Sequence, residues 1–126
     1  MSEEKKPSEV IQDFLNYLEF CKREYKTNKE KYEAIDNQTY DWCHKFENAK
    51  NKQERNRLAT AFHNLRVQRR SHKDKAKLYG KLASFAQDKS NELFLKRLRK
   101  ILTEQVKTEE WLESDRAGDG VDENAV

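Results

Sequence analysis

Apolar residues return every three or four positions along nearly the whole chain, the period of a helix with one buried face. Pro7 and Ser8 precede the first such run, with Ser8 in the position of an N-cap. Val10, Ile11, Phe14, Leu15, Leu18, Cys21 and Tyr25 then mark one continuous apolar face. Tyr25, Tyr32, Thr39 and Phe46 fall seven apart with Ile35 and Trp42 interleaved, which predicts a second amphipathic segment following a break near Thr27 to Lys29. Asn51 with Glu54 three residues later reads as a helix start of the capping-box type. A long helix from about Gln53 to Ala86 is expected, its apolar positions including Leu58, Phe62, Leu65, Tyr79, Leu82 and Phe85. The middle of that stripe is filled by Gln68, Arg69, His72 and Lys75, a polar gap where a site could open. Asp88 or Ser90 is placed to cap a last helix that buries Phe94, Leu95, Leu98, Ile101, Leu102, Val106, Trp111 and Leu112.

Composition sets the fold class. With 3 Gly and 1 Pro in 126 residues, the connections that hairpins and α/β units require are scarce, so the chain is expected to be all-α. The expected architecture is long amphipathic helices packed as an antiparallel bundle. A composition 35% hydrophobic and 39% charged leaves a thin monomeric core, so assembly into a dimer or higher oligomer is expected as well. Residues 1–7 read as a disordered N-terminus and 8–113 as a single helical domain. From Ser114 the chain turns to Gly, Asp, Glu and Asn, so 114–126 reads as a disordered acidic tail.

Charge then changes the picture. From Lys45 to Lys81 there are twelve Lys or Arg against three acids, Glu47, Glu54 and Asp74, while the whole chain carries only +3. Positive charge is therefore segregated, which points to a phosphate-bearing partner. A solvated helix surface is the ordinary fate of such residues, and clustering is what argues against it here. Arg66, Arg69 and Arg70 stand at i, i+3 and i+4, a spacing that puts three guanidiniums on one face, with Lys73 a turn further on. Arg57 lies almost three turns earlier and could grip a different phosphate. Phe85, Asn91, Arg97 and Arg99 form a second group, in which a ring can stack on a base and an amide can bond its edge. Taken singly, Phe85 reads as core and Asn91 as part of a cap.

Other chemistries find no support in the sequence. Cys43 and His44 are adjacent and point about 100° apart on a helix, and His63 and His72 match no zinc-ligand spacing, so no metal is expected. There is no Gly-rich phosphate loop, no nucleophile elbow and no paired acid and base, so neither an enzyme nor a cofactor is expected. Two cysteines are too few for a disulfide framework, and no apolar run reaches the roughly 18 residues of a membrane span. Met1 to Pro7 is charged with no apolar stretch behind it, so a reducing cytoplasm is the expected location.

The order IQDFLNYLEFCKREY, then NAKNKQERNRLATAFHNLRVQRRSHKDKAKL, then FAQDKSNELFLKRLRKILTEQ resembles the small helical phage proteins that act as Thoeris anti-defence sponges. The likeness covers about residues 8–112 and is most specific in the ERNRLAT to HKDK run. It implies a phage protein, in the cytoplasm of an infected bacterium, that sequesters a cyclic ADP-ribose isomer without cleaving it. It also implies a homo-oligomer, a dimer at least and up to a hexamer, with cyclic oligonucleotides as possible second ligands. By this analogy the ligand pocket comprises Phe85, Asn91 and Arg97, completed by Arg23, Lys26 or Lys29 of a second subunit. Arg57, Thr60, Arg66, Arg69 and Arg70 would supply phosphate contacts or a second site. The competing readings are a helical DNA- or RNA-binding phage protein using the same basic face and a purely structural coiled-coil partner.

Overall fold

The structure, a computed structural model, describes residues 4–117; residues 1–3 and 118–126, which hold most of the expected acidic tail, lie outside the described residues. The described chain is all helical: α1 (Pro7–Asp36), α2 (Thr39–Glu47), α3 (Lys52–Gln87), a 3-10 turn (Lys89–Asn91) and α4 (Glu92–Ala117). Helix α4 thus runs three residues past the change of composition at Ser114.

Three local expectations are corrected. Helix α1 begins at Pro7, one residue before the expected cap, because proline's fixed φ and missing N–H suit the first helical position. The Glu9 carboxylate reaches back to accept from the Lys6 backbone N–H (2.8 Å), which leaves the Ser8 hydroxyl for a tertiary bond. The break expected near Thr27 does not occur. Asn28 instead anchors its amide on the Glu24 carbonyl one turn back (2.7 Å), and α1 runs unbroken to Asp36. The chain turns at Asn37 and Gln38, whose N–H groups donate to the carbonyls of Glu33 and Ile35. The predicted α4 face is only partly covered: Leu95 is buried and Leu98 and Leu102 half-buried, while Phe94, Ile101, Val106, Trp111 and Leu112 are exposed.

Other signals hold. Asn51 Oδ1 accepts from the Glu54 N–H (2.8 Å), as its spacing suggested, and α3 starts beside it. Asp88 caps the 3-10 turn, accepting from the Ser90 N–H at 2.9 Å. That bond and the Ser90 hydroxyl hold the Asp88 carboxyl below its ordinary pKa.

The chain divides into two compact units, one made of residues up to Leu18 with those from Ala86 onward, the other of Glu19–Phe85. In the second unit, contacts between α1 and α3 fall in reverse order: Phe20 meets Tyr79, Asn28 meets His72 and Asp36 meets Arg69. The two helices therefore run antiparallel. On α3 the inward positions Leu58, Phe62, Leu65, Arg69, His72, Ala76, Tyr79 and Ala83 alternate by four and three, the spacing of a coiled-coil seam. Helix α2 lies against the start of that seam through Trp42 and Phe46, whose rings sit 5.4 and 5.9 Å from that of Phe62. In the first unit the start of α1 meets the end of α4, again in reverse order. Ser8 donates its N–H (3.0 Å) and hydroxyl (2.5 Å) to Glu109, and Lys6 pairs with Glu113 (2.5 Å).

Candidate functional site

The polar gap read in the middle of α3 is not an opening. Arg69 and His72 occupy seam positions, and each is answered from α1. Arg69 reaches both oxygens of Asp36, with Nη2 at 3.0 Å from Oδ2, and its guanidinium lies 5.9 Å from the Tyr32 ring. This bond pulls the Asp36 carboxyl below its ordinary pKa, and the charges of Arg66 and Lys73 add to the effect. Asn28 is buried, and its Nδ2 is committed to the Glu24 carbonyl, so its Oδ1 accepts and the His72 Nδ1 carries the proton that it receives (2.8 Å). Desolvation, with Lys31 and Lys75 nearby, lowers the His72 pKa, and the ring is neutral at pH 7. Two such polar pairs inside a seam that is otherwise mainly apolar help to fix the register of the two helices.

Turning Arg69 inward separates it from its neighbours. The three arginines of the RVQRR run do not share one face. Arg66 and Arg70 point to solvent, and with Lys73, Lys77 and Lys81 they stand at i, i+4, i+7, i+11 and i+15, all exposed. Five cations therefore line one side of α3 over about 22 Å, spaced by about 4.5–6 Å. Arg55 and Lys52 continue the line three turns toward the N-terminus. Asp74 lies at the edge of the ridge and is exposed. Each like-charged pair costs a few tenths of a kcal/mol, relieved when an anion lies along the row.

Arg57 is exposed on α3 but, by helical phase, on the side opposite the ridge, and the Thr60 hydroxyl donates to the Asn56 carbonyl of its own helix (3.1 Å). Arg23 is exposed on α1. Phe85 is half-buried near the end of α3, and Asn91 is half-buried where the 3-10 turn passes into α4. Arg97 sits in an open groove along α4 with Ser90, Leu93, Phe94, Leu98 and Ile101, a cavity of about 490 Å³. Of the proposed trio, Arg97 is the one among the described lining residues of that groove.

Asn28 and His72 were not singled out as a pair by the sequence. A lone Asn at a seam position of α1 was the available signal, and it was hidden by the break expected at that point. Among the described residues no cluster of three or more His, Cys, Asp or Glu could hold a metal ion, and both cysteines are free, Cys21 buried and Cys43 exposed. No described helix is long and apolar enough to cross a membrane. No family model matches the chain, and no curated protein or solved structure is significantly similar to it.

Proposed function

We propose that this is a non-catalytic binding protein whose α3 ridge grips the phosphates of a nucleic-acid backbone. The observation that carries the reading is the exposed row Arg66, Arg70, Lys73, Lys77 and Lys81 along one side of α3, freed of Arg69 by the inward pair with Asp36. A linear row of cations matches a linear row of phosphates, whereas a small ligand held tightly needs walls around it. Arginine supplies two-point contacts and lysine point charges, neither of which reads sequence, so binding is backbone-directed.

Five phosphate contacts on duplex DNA predict an affinity that falls several hundredfold between low and moderate salt through counterion release. The test is titration of a labelled duplex and a single strand with wild-type protein and with Arg66→Glu/Arg70→Glu/Lys73→Glu at several salt concentrations. The triple variant is expected to lose about a hundredfold or more in affinity at low salt with unchanged helicity. Equal binding by the two proteins would remove the ridge from the account.

A second reading, the sequestration of a cyclic nucleotide signal in an infected bacterium, is favoured by the α4 groove, where Arg97 and Ser90 stand beside the exposed ring of Phe94. In that reading the ligand disappears from solution when incubated with the protein and returns chemically intact on heating. Its retention varies little with salt, and Arg97→Ala abolishes it.

A further inference from the structure

We infer that the α1/α4 unit is built to dock on a second copy of this chain through one face made by both helices. Val10, Phe14 and Tyr17 each precede by one residue an inward position of α1, Ile11, Leu15 and Leu18. Phe94, Arg97 and Ile101 stand in the same relation to Leu95, Leu98 and Leu102 on α4. One residue back is a rotation of about 100° in the same sense on each helix. For antiparallel neighbours, equal rotations in the same sense turn both stripes to the same side. The outcome is a single apolar face, extended on α4 by Leu93, whose apolar residues are between 39% and 66% exposed.

Exposure gives its size. Val10 is 54%, Phe14 39%, Tyr17 46%, Leu93 66%, Phe94 52% and Ile101 49% exposed. With about 150–250 Å² for a large side chain, this leaves on the order of 600 Å² of mainly apolar surface. A standard interface takes about 800 Å² from each partner, so this patch and its polar rim are of the right extent for one stable contact.

Charge selects the occupant. Residues 7–18 of α1 carry Glu9 and Asp13 and no base, with Asp13 paired to Lys5 just before them (2.6 Å), whereas residues 92–103 of α4 carry Lys96, Arg97, Arg99 and Lys100 against Glu92 alone. The face is thus acidic on one flank and basic on the other. A two-fold axis through its centre lays α1 of each copy along α4 of the other, so that apolar residues meet at the middle and opposite charges meet twice at the rim. The contact is self-complementary and closes at two copies.

The test is sedimentation analysis of the full chain over a micromolar concentration range, with circular dichroism as the check on folding. Wild type is expected to be a dimer. Phe14→Glu and Ile101→Glu, which place a carboxylate at the apolar centre, are expected to raise the dimer Kd by about a hundredfold or more. A second pair of variants keeps the test decisive should either of these lose helicity. Asp13→Lys and Lys100→Glu each set like charges against each other in their own homodimers, and an equimolar mixture of the two restores opposite charges at both rims. Weak homodimers and a restored mixed dimer are expected. A wild-type monomer throughout the range would overturn the inference. So would a dimer indifferent to the centre substitutions, or failure of the mixture to recover affinity.

Discussion

The two units solve the same packing problem to different degrees. In Glu19–Phe85 the helices close on themselves. Small residues Ala76, Gly80 and Ala83 let α3 approach α1, polar seam positions are paired across it, and the outer side of α3 carries the row of cations with Val67, Leu78 and Leu82 exposed beside it. In the unit built from the ends of the chain, Leu18 and Leu95 are buried, yet the position before each inward residue is again large and apolar, Arg97 before Leu98 excepted. Two helices have only one mutual interface, so a stripe two residues wide cannot be buried by a pair. The first unit therefore presents a mainly apolar face and the second a ridge of positive charge, and the two surfaces call for different partners.

The sharpest way to break this comparison is to truncate a residue buried in the α1/α4 unit and its exposed neighbour in turn. Leu18→Ala removes a side chain only 2% exposed and is expected to cost about 2–5 kcal/mol. Phe14→Ala, four residues earlier, is expected to cost under about 1 kcal/mol at concentrations where the chain is monomeric, and more where copies associate. Denaturant midpoints measured at several protein concentrations separate the two. Equal, concentration-independent losses would mean that the outer stripe is covered within one chain.

In the other unit the informative change is at the polar seam. Asn28→Ala leaves the half-buried His72 Nδ1–H without its acceptor and is expected to cost about 1–2 kcal/mol, whereas replacing both residues by Leu is nearly neutral or stabilising. The same pair gives a pH signature. Because burial holds the His72 pKa below its ordinary 6.5, the unfolded chain takes the proton first. Stability is thus fully present above that value and falls as pH drops below it, and His72→Gln is expected to flatten this step. A separate loss is expected only in stronger acid, below the ordinary Asp pKa of 3.8, as Asp36 is protonated and releases Arg69. Urea titrations across mildly acidic pH distinguish the two steps. A profile unchanged by His72→Gln would assign the first step elsewhere.

The smallest effect is expected at Gly80. A Cβ there would lie 3.4 and 3.5 Å from Cε1 and Cδ1 of Tyr25, at the edge of ordinary contact and against a ring able to give slightly. Glycine in a helix interior costs about 1 kcal/mol relative to Ala, so Gly80→Ala is expected to gain about 0.5 kcal/mol after this crowding. A loss in thermal melting would show that the approach of the two helices tolerates no added atom.

What the sequence by itself determined is what depends on near neighbours. Helix period, the scarcity of Gly and Pro, the Asn51 cap and the Asp88 cap are all written within a few residues, and each is found in the structure. The segregation of positive charge onto α3 was equally legible, since it requires only counting. Tertiary structure alone decided which of those charges faces water. Arg66, Arg69 and Arg70 look equivalent in the sequence, but Asp36 lies 33 residues from Arg69, and only the antiparallel return of α3 brings them together. The unbroken course of α1 through Asn28 was hidden for the same reason: a buried Asn reads as a helix breaker until His72, 44 residues away, is seen to hold it. The apolar stripe of α4 was visible as periodicity, but how much of it one neighbouring helix can cover is a question of available surface, and periodicity carries no information about that.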